Sequence, residues 1–377
     1  MKEQYKILIS LLGIQFNRGM GFYILEYLPY LCREFKDKLI IVSHNIIPES
    51  LEDTIISNNS LLIKLPYSYA MYPFLEQLML PYFIKKNNIR LAWFPANTFP
   101  LIKYLGTKYI VTIHDLIFLD NNFSPQTLKH KIGKWYRKFV LEQGIYKMDV
   151  ILSVSMTSLK KIVRNFNLSE NLISEDYVIY SSLNLSKKIY YSDTILKKLN
   201  IAPKKYFYTI TGESPSKNFH FVLQSYSKLI PLMPEYKLVV SGIKNWAKYY
   251  NLIKKLGLKN KIIFTDFVSE EEKFSLMKNA KAFLFLSKEE GFGRPIIEAL
   301  SVYCPVIVSD IEIFHEVGGD VVYYVDIKNE NALFDFFKKN KTITPPNPEK
   351  INRHLLKFDT KINVEKLMRI FVRCLNV

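Results

Sequence analysis

The sequence predicts an α/β protein made of two doubly wound domains in tandem. Three observations lead there. Apolar runs of strand length alternate with helix-patterned segments along the whole chain. The chain has 377 residues, long for a single core. The alternation breaks once, at residues 183–203, and a fresh apolar run then starts at Tyr206. Alternation of this kind builds βαβ units and parallel sheets, with helices on both faces. The expected domains are residues 1–190 and 191–359, followed by a last helix at 360–377.

Expected strands of the first domain are residues 7–12, 39–42, 91–94, 109–113 and 150–154. After residues 7–12 comes GIQFNRGMGFY, which places Gly19 and Gly21 between a strand and a helix marked by Tyr23, Tyr27, Leu28 and Leu31. A Gly-x-Gly there can bring backbone N–H groups close to a diphosphate, and Arg18 stands beside it. At the end of residues 109–113 the chain reads TIHDL, so His114 sits at the carboxyl end of a strand, where it can hydrogen-bond sugar hydroxyls or share in proton transfer.

Residues 125–146 form a basic amphipathic helix. Leu128, Ile132, Trp135 and Phe139 share one face, and Lys131, Lys134 and Lys138 share another, with Lys129 and Arg137 nearby. Such a helix can lie on an anionic bilayer.

Expected strands of the second domain are residues 206–211, 237–241, 261–265, 282–286, 306–309 and 321–325. Gly212 to Asn218 (GESPSKN) follows the first of these, and Phe219, Val222, Leu223, Tyr226 and Leu229 mark the next helix. Lys217 thus stands at a helix N-terminus, where its ammonium and the helix dipole both face an anion. Ser269 and Glu272 form a capping box with a structural role.

The most informative segment is Ser287 to Glu298, SKEEGFGRPIIE. It follows a buried strand and opens a helix on Pro295. Glu290 lies on the loop and Glu298 one turn into the helix. Gly291 and Gly293 let backbone approach a ligand, and the helix N-terminus attracts phosphate. Two acids beside an anion site suit a ligand with both hydroxyls and phosphates, such as a nucleotide sugar.

This segment resembles the E-x7-E signature of the retaining glycosyltransferases of family four (glycosyl transferases group 1), which have the GT-B fold. TIHDL around His114, Lys217-Asn218, Ser155 after a strand, and CPVIVS followed by HEVG are similar to further signatures of that family. The resemblance implies that Glu298 holds the ribose hydroxyls and that Glu290 hydrogen-bonds the transferred sugar. Gly291, Phe292 and Gly293 would present N–H groups, Lys217 would stabilise the leaving diphosphate, and His114 would contact the sugar near the reacting carbon. Gly19, Gly21, Gly212 and Arg294 complete the implied donor set. Retention would follow a front-face route in which the leaving phosphate takes the acceptor proton. The last helix would cross back onto the first domain.

The chain departs from the family at Glu213, where a diphosphate-binding arginine is usual, so Arg294 or Arg18 would supply part of that charge. Cys304 takes a glycine position and reads as small and buried rather than nucleophilic.

The formal charge is +17, from 52 Lys and Arg against 35 Asp and Glu. That excess calls for an anionic partner. Without a zinc-finger spacing or an RNP-type aromatic run, a membrane surface is preferred to nucleic acid. No Asp-x-Asp clamp and no metal-ligand spacing is present, so no metal is expected. Three scattered cysteines, with neither an N-terminal signal nor a spanning run, place the protein in the cytoplasm on the inner face of the membrane.

The expected activity is retaining, metal-independent transfer of a hexose such as mannose or rhamnose. The donor would be a GDP-, UDP- or dTDP-sugar and the acceptor a saccharide or lipid-linked saccharide. The wealth of Lys, Ile and Asn with few glycines matches bacterial surface-polysaccharide loci (O-antigen or capsule). The alternatives are another GT-B enzyme (a nucleotide-sugar epimerase or a phosphorylase) and a non-catalytic basic binding protein.

Overall fold

The computed structural model describes residues 6–44, 46–66, 71–120, 128–191, 194–340 and 342–376. The chain divides into two compact units, one made of residues 1–184 and 358–377 and the other of residues 185–357.

The first unit is built on six parallel strands in the order β3-β2-β1-β4-β5-β6. They are β1 Ile7–Ser10, β2 Leu39–His44, β3 Leu61–Leu65, β4 Leu91–Phe94, β5 Lys108–Ile113 and β6 Val150–Ser153. Sequential strands run outward from β1 to one edge, then from β4 to the other, so the order reverses between β1 and β4. Ile7 lies beside Leu39 on one side and Leu91 on the other. Strands β1, β2 and β4 are continuous buried runs because helices cover both faces.

The edge strand β3 was not among the expected strands. Its Leu61 is half exposed and Lys64 points to water, so it lacks the buried run that marks its neighbours. The expected loop glycines also differ in place. Gly19 and Gly21 lie in the first turn of the helix Gly19–Phe35, with Arg18 as its N-cap residue.

The C-terminal helix Thr360–Leu375 belongs to this first unit. Phe371 stacks on Phe35 at 6.0 Å and meets Trp93 edge-on at 5.6 Å. Leu367 and Phe371 are fully buried, each stabilising by about 1.5–3 kcal/mol. The outgoing and returning chain segments run side by side, with Leu183 N–H donating to the Phe358 carbonyl and Thr360 N–H to that of Leu183.

The second unit carries six parallel strands in the order β12-β11-β10-β7-β8-β9. They are β7 Tyr206–Ile210, β8 Lys237–Ser241, β9 Ile262–Phe264, β10 Ala282–Phe285, β11 Val306–Ser309 and β12 Tyr323–Val325. Read from the other edge, this order repeats the first sheet, with the reversal between β7 and β10. The capping box of the helix Glu270–Asn279 is formed as expected. Glu272 N–H donates to Ser269 Oγ, and Ser269 N–H to the Glu272 carboxylate.

Candidate functional site

In open α/β sheets a ligand site lies beyond the carboxyl ends of the strands, where the strand order reverses. In the second unit that point is flanked by the loops after β7 and β10. These are the loops that carry Lys217 and Glu290.

The loop after β7 passes through a 3₁₀ turn, Pro215–Lys217, into the helix Phe219–Leu229. Asn218 adopts a left-handed φ of 55° at the junction, a conformation asparagine tolerates well. Its side-chain amide donates to the Leu286 carbonyl, and Lys288 N–H donates to the Ser216 carbonyl at 2.8 Å. The loop after β10 is thereby laced to its partner. It ends on Gly293, whose φ is +101°; a Cβ there would lie 3.0 Å from the Phe314 ring. Only glycine fits comfortably, and the helix Arg294–Ser301 follows at once, with Pro295 in its first turn.

This lacing brings Lys217 Nζ to 2.7 Å from Glu290 Oε1. Ser287 Oγ donates to the same oxygen at 2.7 Å. The ammonium also lies 5.5 Å from the Phe285 ring centroid. About a third of the Lys217 side chain reaches solvent, while Glu290 is largely covered. An ammonium has three donors, so Lys217 can hold Glu290 and still meet phosphate oxygens. The predicted Gly212 lies beside it, with Lys217 Cγ 3.7 Å from where a Cβ would stand. Phe292 is buried between the two predicted glycines Gly291 and Gly293.

Glu298 is 3% exposed. Its Oε1 receives Arg294 Nε at 3.0 Å and Lys273 Nζ at 2.9 Å. Burial pushes this carboxyl up, but the two cations outweigh it and hold the group below the ordinary glutamate range. Lys273 comes from the helix Glu270–Asn279, which sequence reasoning treated as purely structural. Its spacing to Glu298 carries no local signal. Arg294 does not stand as an open substitute for the missing arginine, because it is buried and its Nε is turned onto Glu298. Arg18, the other candidate, is an exposed N-cap residue of the first unit. Glu213, at the departure from the family pattern, pairs instead with Lys248 at 2.7 Å, which lowers its pKa.

In the first unit the corresponding reversal lies between the loops after β1 and β4, with His114 just past β5. The His114 backbone N–H donates to Asn97 Oδ1 at 2.6 Å. Its ring Nε2 lies 2.9 Å from the Pro95 carbonyl. A carbonyl only accepts, so the proton is assigned to Nε2, leaving Nδ1 as the acceptor. Tyr23 packs edge-on against the ring at 5.0 Å. Burial lowers the imidazole pKa to about 4, against the opposing hydrogen bond to Pro95. The ring is therefore neutral at pH 7. Hydrogen bonding remains open to it, but proton donation as an imidazolium does not.

Gly19 and Gly21 play different parts. Nothing lies within 4 Å of a Cβ on Gly19, whereas one on Gly21 would come within 2.3 Å of Phe16 Cα. Gly21 is thus a packing requirement of the turn leading into the helix. Ser155 caps the helix Met156–Asn165, accepting from Ser158 N–H. Cys304 is fully buried, and burial pushes its thiol up to about 12, consistent with an inert packing role. Among the described residues, no group of three or more His, Cys, Asp or Glu side chains is placed to hold a metal ion.

Residues 192–357 match the family described as Glycosyl transferases group 1. The chain is 28% identical over 354 residues to the O-antigen chain mannosyltransferase RfbU of Salmonella typhimurium, covering 90% of this chain and 92% of that one. It is 26% identical over 336 residues to the N-acetylgalactosamine-N,N'-diacetylbacillosaminyl-diphospho-undecaprenol 4-alpha-N-acetylgalactosaminyltransferase of Campylobacter jejuni subsp. jejuni, covering 82% and 83% of the two chains. In fold it is similar to the crystal structure of a glycosyltransferase from Rickettsia africae ESF-5, with a TM-score of 0.71, 18% identity and 99% of each chain covered. The second unit thus matches the glycosyl transferases group 1 family, and the two doubly wound units give the whole chain the GT-B fold.

Proposed function

We propose that the protein transfers a hexosyl group from a nucleotide diphosphate donor, with retention, to a saccharide or lipid-linked saccharide in surface-polysaccharide assembly. The observation that carries this reading is the meeting of Lys217 and Glu290 at the strand-order reversal of the second sheet, inside the segment that matches the family.

In this reading the diphosphate lies against Lys217 and the N-terminus of the helix after Gly293. Charge developing on the leaving phosphate as the glycosidic bond breaks is met by that ammonium. Glu290 accepts from hydroxyls of the transferred sugar, and Glu298 from those of the ribose. His114 acts as a neutral hydrogen-bonding group for sugar hydroxyls. A front-face route needs no enzymic nucleophile, and the fixing of Glu290 by Lys217 and Ser287 suits it to accepting hydrogen bonds. No metal is required, since Lys217 and backbone N–H groups take the diphosphate charge. Mannose is the first sugar to test, because the relative RfbU is named a mannosyltransferase. A lipid-linked acceptor is supported by the diphospho-undecaprenol in the name of the Campylobacter relative.

The test is a thermal-shift screen with GDP-, UDP- and dTDP-sugars in the presence of EDTA, followed by a transfer assay with the nucleotide that stabilises. Binding to the native state raises the melting temperature. Lys217→Ala is expected to lower turnover at least about tenfold with folding retained, and Glu298→Ala to do so with a loss of stability as well, since it strips the buried Lys273 and Arg294 of their shared carboxylate. The absence of any shift, or wild-type turnover in both variants, would overturn the reading. Tight polyanion binding without nucleotide binding would favour a basic binding protein instead.

A further inference from the structure

The helix Leu128–Gly144 of the first unit carries two apolar faces, and only one of them is covered. Val140 and Leu141 are fully buried, and Tyr136 is nearly so. Tyr136 is anchored further by its hydroxyl, which donates to the buried Glu76 carboxylate at 2.6 Å. The other face is Leu128, Ile132, Trp135 and Phe139, which stand 74, 54, 65 and 40% exposed. Their spacing of four, three and four residues sets them in one stripe. The rings of Trp135 and Phe139 stack at 5.5 Å.

The basic residues of this helix are not equivalent. Lys134 Nζ donates to the Asp120 carbonyl, and the Arg137 guanidinium lies over the Phe118 ring at 5.0 Å. Both are therefore turned onto the protein and do not serve an outer surface, contrary to the expectation from sequence. Lys131 and Lys138 are exposed and flank the stripe. Residues 125–127 and the Lys129 side chain lie outside the described residues.

An exposed Trp–Phe–Leu–Ile stripe edged by lysines has the composition of a helix that lies in the plane of a bilayer surface, with rings and aliphatic groups in the acyl boundary and ammonium groups at the head groups. Charge complementarity decides the occupant. With Lys134 and Arg137 turned inward, the outer charge beside the stripe is that of Lys131 and of Lys138, the latter 3.7 Å from the exposed Glu142, within a chain of formal charge +17. We infer that the stripe Leu128–Ile132–Trp135–Phe139, with Lys131 and Lys138, docks the protein on an anionic lipid surface.

No residue of this face belongs to the proposed donor site, so the inference stands or falls apart from the transfer reading. The test is co-sedimentation of the full chain with vesicles of phosphatidylcholine alone and of phosphatidylcholine with 30% phosphatidylglycerol, with Trp135→Ser/Phe139→Ser and Lys131→Gln/Lys138→Gln compared with wild type (vesicle fraction of about 30% chosen to give a clear surface potential). Wild type is expected to bind the anionic vesicles at least about tenfold more strongly than the neutral ones. The aromatic pair of substitutions should cut that binding at least about tenfold, and the lysine pair should remove most of the preference for anionic lipid. Because these side chains are exposed, melting temperatures and nucleotide-induced shifts should stay near wild type. Binding that ignores lipid charge, or that is unchanged in the aromatic variant, would overturn the inference. So would a dimer in analytical ultracentrifugation that dissociates in the aromatic variant, which would assign the stripe to a second copy of the chain.

Discussion

Replacing Lys273 by Met tests whether the site depends on a contact that no motif announces. Glu298 is 3% exposed, and its Oε1 is shared by Lys273 at 2.9 Å and Arg294 at 3.0 Å. Removing one partner of a buried ion pair costs about 3–5 kcal/mol, because a charge is left uncompensated. Arg294 still supplies countercharge, so the expected loss is lower, about 2–3 kcal/mol at pH 7. The sign with pH follows from the direction of the Glu298 shift. Its folded pKa is lowered, so its contribution is fully present above the unfolded value near 4.3 and fades as pH falls through the folded one. The variant's deficit should therefore hold from pH 7 down to about 4.3 and shrink only below that, towards about pH 3. Urea unfolding followed by circular dichroism at both ends of that range reads the deficit. A double-mutant cycle with Glu298→Gln isolates the coupling, expected to exceed about 1 kcal/mol. Additivity within about 0.5 kcal/mol, or a deficit that does not shrink in acid, would refute the argument.

Two further substitutions separate packing from chemistry. Gly21→Ala should be strongly destabilising, since its Cβ would stand 2.3 Å from Phe16 Cα and 2.4 Å from the Gln15 carbonyl oxygen. Gly19→Ala, with open space around it, should leave the melting temperature unchanged or slightly raised. His114→Asn should flatten part of the acid loss of stability. The folded ring resists protonation down to about pH 4, while the unfolded chain takes up its proton below about 6.5. Wild type thus loses on the order of 3 kcal/mol across that window through this residue, and the variant should be spared most of it in unfolding titrations between pH 7 and pH 4.5.

What could be read from the chain was what the chain keeps local. The run from Ser287 to Glu298 carries a strand end, a glycine turn and a helix start in one segment, so its geometry follows from its order. The capping box at Ser269 and Glu272 is legible for the same reason. The contact between Lys217 and Glu290 spans 73 residues and exists because β7 and β10 are neighbours in the sheet. Each residue could be nominated separately, but their meeting could not. Lys273 was illegible because a lysine among glutamates on a helix looks solvated, and only tertiary packing turns it onto Glu298. In the helix Leu128–Gly144 the sequence marked one apolar face, Leu128, Ile132, Trp135 and Phe139, and missed the one that is buried, with Val140, Leu141 and Tyr136, whose hydroxyl reaches the buried Glu76. The edge strand β3 gave no buried run because its Leu61 and Lys64 are exposed and its Leu62 and Ile63 only partly covered.

The pairing of Lys217 with Glu290 carries a consequence for selectivity. A diphosphate placed against the far side of the Lys217 ammonium would sit about 5–6 Å from the Glu290 carboxylate, taking a hydrogen bond of about 2.8 Å on from the observed 2.7 Å. At that separation like charges repel by about 1–3 kcal/mol at the effective dielectric of a partly exposed site. A bare nucleotide diphosphate bears this repulsion in full. A nucleotide sugar brings hydroxyl donors that Glu290 can accept, and it returns part of the cost. The carboxylate would therefore favour donor over product, by discriminating against the free diphosphate as well as by holding the sugar. Glu290→Gln should tighten binding of the free nucleotide diphosphate roughly tenfold while weakening that of the nucleotide sugar, measured by isothermal titration at low salt. The inversion should fade at high ionic strength, since the repulsion is partly screened. If both ligands weaken together in the variant, Glu290 serves only to position Lys217, and the discrimination argued from their 2.7 Å contact fails.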